Sequence, residues 1–178
     1  MKRSLVLILL FVIALPAQAF AASMSAADVD QIYFEDYKSQ VAAIKKELTK
    51  VKITNTNLCP DVATLTQVVK SSSTKYSTLV KNKASKQTLA GAKAQLNEFK
   101  KQLASAKKTC SLNIKEIKQG TNMQLKDIAK EKADIVKTIR DQYNGKGILT
   151  QAQFENRVKL SVSHINDQLD AILKSLAF

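Results

Sequence analysis

"LAGAKAQLNEFKKQLASAKKTCSLNIKEI", residues 89–117, decides the fold. Leu89, Leu96, Leu103, Cys110 and Ile117 recur at every seventh position, and Ala92, Phe99, Ala106 and Asn113 follow the first four by three. Spacings of three and four keep these residues on one side of an α-helix, and a sustained repeat of seven is the seam of a coiled coil. A strand needs apolar and polar residues to alternate, and no segment of the chain sustains that alternation. The seam slips in "KQGTNMQ", residues 118–124, then resumes as Leu125, Ile128, Ile135 and Ile139. A glycine inside a helix costs about 1 kcal/mol relative to alanine. The expected element is therefore one long helix over 86–143, kinked near Gly120.

The neighbouring segments repeat the same logic. Val62, Leu65, Val69, Ser72, Tyr76 and Leu79 outline a helix over 60–82. Pro60 suits its first position and Asp61 suits the positive end of its dipole. A turn at 83–85 follows, with Ser85 placed to cap the long helix. Upstream, Val29, Tyr33, Tyr37, Val41, Ile44, Leu48 and Val51 outline a helix over 26–53. Ser25 and Asp28 form a capping box for it, with Met24 and Val29 as the staple. "TNTNLCP", residues 54–60, breaks the pattern, because Thr and Asn side chains compete for backbone hydrogen bonds. Phe154, Val158, Ser161, Ile165, Leu169, Ile172 and Leu176 outline a last helix over 151–177.

The corner "NGKGILTQAQF", residues 144–154, has two readings. As a calcium loop over 142–153 it places Gly147 sixth and Leu149 eighth, but the ligand positions hold Gln142, Asn144, Lys146 and Gln153. Without a carboxylate, and with a lysine among them, these residues do not suit calcium. As a helix corner it is complete. Thr150 and Gln153 make a capping box, Leu149 and Phe154 a staple, and Gly145 or Gly147 a left-handed helix end. Residues 139–160 also resemble the short helical module called SHOCT, through Gly147, Ile148, Leu149, Thr150, Gln153, Phe154, Arg157 and Leu160. Gln-Ala-Gln stands where that module has an acidic run, and the chain continues past Leu160. The resemblance implies an association element and no catalytic residue.

Two cysteines pair naturally in the hairpin. The midpoint of Cys59 and Cys110, 84.5, falls in the turn, so equal rise along antiparallel helices brings both to one height. An intramolecular disulfide is the reading taken. An intermolecular bridge and a redox pair are the alternatives, the latter without a Cys-x-x-Cys motif. A single histidine, His164, leaves zinc without ligands.

Charge is uneven. Residues 62–126 hold thirteen lysines against two acids, Glu98 and Glu116, a net +11, while the whole chain carries +13. Lys93, Lys100, Lys101, Lys107, Lys108, Lys115 and Lys118 are the candidate anion-binding residues. Lysine acts as a hydrated point charge, so such binding is expected to be salt-sensitive and poor in shape selectivity. Anionic lipid, acidic polysaccharide, a protein client and self-association are the partners considered. Nucleic acid is disfavoured, because the basic stretch has only Tyr76 and Phe99 as aromatics for stacking.

The chain opens with "MKRSLVLILLFVIALPAQAFA". Lys2 and Arg3 precede an apolar run, a proline and Ala17-Gln18-Ala19, the pattern of a bacterial secretory leader over 1–21 cleaved near 19–22. No later segment is apolar enough to span a bilayer. No nucleophile motif, nucleotide loop or metal ligand set is present, and His164 lacks an evident orienting partner. No cofactor is expected. The sequence thus reads as a periplasmic or secreted all-α protein with a single domain over 22–178. Its expected form is an elongated antiparallel bundle of helical hairpins with coiled-coil-like seams. The expected role is non-catalytic binding or assembly in the cell envelope, or alternatively chaperone-like or structural self-assembly.

Overall fold

The computed structural model describes residues 24–177. The leader expected over 1–21 lies outside the described residues. Five helices follow one another: α1 (Ala26–Tyr33), α2 (Tyr37–Lys50), α3 (Pro60–Lys81), α4 (Lys86–Tyr143) and α5 (Gln151–Ser175). The described residues contain no strand, so the fold is all-α, as the periodicity requires.

The helix starts follow the local chemistry. Ser25 Oγ accepts from the Asp28 amide at 3.2 Å, and the Ser25 amide donates to the Asp28 carboxylate at 2.9 Å. Pro60 opens α3. Ser85 Oγ accepts from the Thr88 amide at 3.2 Å ahead of α4. The Gln153 amide donates to Thr150 Oγ1 at 3.3 Å, while the Thr150 amide donates to Gln153 Oε1 at 3.1 Å. Each reciprocal pair satisfies donors that a helix N-terminus leaves open. After α4 the chain turns through Gly145, whose φ is +71°, a conformation costly for a residue with a Cβ.

One expectation changes. The segment 26–53 is not one helix, because the chain leaves helical geometry between Tyr33 and Tyr37 and α2 stops at Lys50. In an unbroken helix Tyr33 and Phe34 would point about 100° apart, which puts Phe34 at the edge of the stripe that Val29, Tyr33 and Tyr37 define. The break buries Phe34 to 5% exposure while Tyr33 stays half-buried. A turn from the Tyr37 amide to the Phe34 carbonyl at 3.2 Å restarts the chain, and the Ser39 hydroxyl donates to the Asp36 carbonyl at 2.8 Å.

The described residues form two compact units. One holds the residues up to Val41 together with Leu125–Asp170, and the other Ala42–Gln124 together with the residues from Ala171 onward. The division within α4 falls beside the slip of the heptad seam at 118–124, although the helix itself continues through Gly120. In the first unit Val29, Phe34, Ile128, Ile139, Phe154, Val158, Ile165 and Leu169 are buried. In the second, Ile44, Val51, Cys59, Val62, Leu96, Cys110, Ile172 and Leu176 are.

Candidate anion-binding site

The second unit contains the basic hairpin. Cys59 and Cys110 form a disulfide with their Cα atoms 5.9 Å apart. Cys59, just before α3, and Cys110, within α4, lie at nearly equal distances from the turn at 82–85, and the bridge between them sets α3 and the first half of α4 antiparallel. Val62 is buried against the bridge, and Ile53, Leu58, Leu103, Ala106 and Ile114 pack around it. The disulfide is therefore part of a small apolar cluster at the open end of the hairpin. Beyond it burial thins: Leu65, Val69, Tyr76, Leu79, Leu89 and Phe99 are only half-buried, and Leu96 is the buried residue of that stretch.

Six of the seven candidate lysines, Lys93, Lys100, Lys101, Lys107, Lys108 and Lys115, are exposed, and Lys118 is half-buried. The heptad sorts them. Lys93, Lys100 and Lys107 form one row beside the seam, and Lys101, Lys108 and Lys115 form the next row, on the side away from it. Lys118 belongs to neither row. Among the described residues no lysine of the hairpin has a carboxylate within ion-pair distance, since the ion pairs are Lys50–Glu47 and Lys132–Asp30. Glu98, one of the two acids of the basic stretch, accepts instead from Gln102 at 3.3 Å.

α3 brings two further lysines that the seam of α4 does not reveal. Lys70 and Lys81 border an open groove of about 490 Å³ between α3 and α4, with Lys100 on the opposite wall. Val69 and Leu103 contribute its apolar lining, and Thr66, Ser73, Thr74, Ser77 and Thr78 its hydroxyls. Lys70, Ser73, Ser77 and Lys81 are spaced three, four and four, so they share one face of α3. That spacing was readable in the sequence, but it lay outside the densest run of charge.

His164 is exposed, with its Nε2 2.7 Å from Gln168 Nε2, and Gln168 also donates to Glu131 at 3.4 Å. The corner at 144–150 is closed by Gln142, whose Nε2 donates to the Leu149 carbonyl at 2.9 Å. A Cβ on Gly147 would fall on the Gln142 side chain, so the glycine permits that closure. Among the described residues no three His, Cys, Asp or Glu side chains group as metal ligands. No described helix is long and apolar enough to cross a membrane. Comparison with known protein families, curated proteins and solved structures finds no match to this chain.

Proposed function

We propose that this chain is an exported, non-catalytic binding or assembly protein of the bacterial cell envelope, whose lysine-rich hairpin engages anionic surfaces or polymers. The observation that carries this reading is the lack of carboxylate partners along the hairpin. Its lysines, all but the half-buried Lys118 exposed, are held on two helices fastened by a disulfide. Solvated lysine rows usually alternate with acids that neutralise them, and here the field is left uncompensated. Such a field attracts polyanions over several ångströms and weakens as salt shortens the Debye length to about 8 Å at physiological strength. Export is part of the proposal. It rests on the leader pattern and agrees with a disulfide, which persists in oxidising compartments.

The test is co-sedimentation of the oxidised mature protein with anionic vesicles and with an acidic polysaccharide, at low and high salt. Salt-sensitive binding that is lost when Lys100, Lys101, Lys107 and Lys108 are all replaced by Glu supports the reading. Unchanged binding in that variant defeats it.

A second reading has its own observation. The half-buried apolar residues of the hairpin, from Leu65 to Phe99, leave a seam that a protein client or a second copy could complete. The SHOCT-like corner at 139–160, with Ile148 97% exposed, would serve as the association element. Sedimentation equilibrium of the mature chain tests this reading, and a monomer at all concentrations removes the self-assembly form of it.

A further inference from the structure

We infer that the groove between α3 and α4 is a binding site for a strand of anionic polysaccharide, held by Lys70, Lys81 and Lys100 at its borders and by Ser73 and Ser77 between them. The inference rests on the anion-binding reading above and narrows it to one site and one ligand class.

The groove separates two kinds of lysine. Lys101, Lys108 and Lys115 lie on the side of α4 turned away from the seam, where a flat anionic surface could meet them. Lys70, Lys81 and Lys100 border an open groove of about 490 Å³ between α3 and α4, away from that outer side. Lys70 and Lys81 are eleven residues apart, about 16 Å along the axis. The ligand that reaches both is therefore an extended chain with more than one negative charge.

The hydroxyls between the lysines differ in what they can offer. Thr66 donates to the Val62 carbonyl at 2.6 Å, Thr74 to Lys70 at 3.1 Å and Thr78 to Thr74 at 3.0 Å. Their protons are committed to their own helix, which leaves only lone pairs facing outward. Ser73 and Ser77 make no hydrogen bond with any described residue, so their protons remain available to a ligand oxygen. The site thus offers cations at both ends, hydroxyl donors and acceptors in the middle, and an apolar lining from Val69 and Leu103. Charged sugars present the complement: acidic groups at intervals, ring hydroxyls, and C–H faces. A second cavity, of about 320 Å³ beside the disulfide, has Asp61 and no lysine among its lining residues and does not share this chemistry.

The experiment compares two triple variants of the oxidised protein that remove the same charge. The groove variant is Lys70→Gln, Lys81→Gln and Lys100→Gln. The outer variant is Lys101→Gln, Lys108→Gln and Lys115→Gln. Each is titrated with a defined oligogalacturonate and with phosphatidylglycerol vesicles at low salt, after circular dichroism confirms the fold. The groove variant should weaken oligogalacturonate binding on the order of tenfold or more, and the outer variant should leave it within about twofold. A charge-neutral variant, Ser77→Tyr, should weaken it too, by filling the groove. Equal losses in both triple variants overturn the groove and leave a diffuse anion-binding surface. Vesicle binding without oligogalacturonate binding overturns the polysaccharide in favour of a membrane. Wild-type protein that binds neither probe overturns the anion-binding reading itself.

Discussion

Lys132 and Asp30, which are 102 residues apart in the chain, meet with Nζ 2.5 Å from Oδ1. The same ammonium stands 5.0 Å from the centre of the Phe34 ring and 4.8 Å from that of Tyr37. One cation from α4 thus holds the acid of α1, the aromatic that follows α1 and the aromatic that opens α2. The Lys132 side chain is 14% exposed and that of Asp30 32%, so the pair is partly screened and the ring contacts carry much of the effect. Lys132→Met should lower unfolding free energy by about 2 kcal/mol, read from the denaturant midpoint. Lys132→Arg should recover most of it, because a guanidinium also stacks on rings. A wild-type midpoint in Lys132→Met would show that the cluster is not what fixes the break between α1 and α2.

Tyr33 gives a pH signature. Burial first, and then its hydrogen bond to the Tyr143 hydroxyl at 3.3 Å, push its ionisation well above the usual tyrosine range. The folded protein therefore holds this proton more tightly than the unfolded chain, whose tyrosines ionise near pH 10. Stability from this source is complete below about pH 10 and declines as pH rises above it. Tyr33→Phe should thus show a shallower loss of stability between pH 10 and 11 than the wild type. Parallel curves would remove Tyr33 from the alkaline transition.

The disulfide should dominate the stability of the second unit. Cys59 and Cys110 are 51 residues apart in sequence. Loop-closure entropy assigns a bridge of that span about 4 kcal/mol. Reduction, or Cys59→Ser with Cys110→Ser, should lower the unfolding free energy by about that amount. Guanidinium titrations with and without reductant read it directly, and coincident curves would mean that the apolar cluster holds the hairpin without the bridge.

The glycines divide by conformation. At Gly91 and Gly120 in α4 an added Cβ meets nothing within 4 Å. Gly120→Ala should stabilise by about 1 kcal/mol, and adding Gly91→Ala by a similar amount, since the sites are far apart. Gly145→Ala should destabilise by about 1 kcal/mol, because φ is +71° there. Thermal denaturation distinguishes the signs. A loss in Gly120→Ala would indicate that the glycine serves a bend or contact that alanine cannot.

The pattern of legibility follows the range of the interactions. α4 and the capping motifs at Ser25, Ser85 and Thr150 are local: spacing along one helix, or a side chain reaching three residues along the chain. All of that is written in contiguous sequence. The cysteine pair is long-range but was recoverable, because a hairpin with a known turn has only one free parameter. The break at residues 34–36 was not. At the break Phe34 is buried and meets Lys132, a hundred residues away in the chain, whereas the stripe of Tyr33 and Tyr37 on its own favours an unbroken helix. The groove was half legible for the same reason. Lys100 stood out in a dense run of charge, whereas Lys70 and Lys81 gain meaning only once α3 lies beside α4.

The uncompensated lysines have a mechanical side as well. Like charges crowded on α4 and α3 repel one another, so the hairpin holds a strain that counterions relieve. Added salt should therefore firm the folded hairpin while it loosens any anionic ligand from it. A polyanion that settles onto the hairpin acts as a concentrated counterion and should raise its melting temperature more than the same charge supplied as free salt.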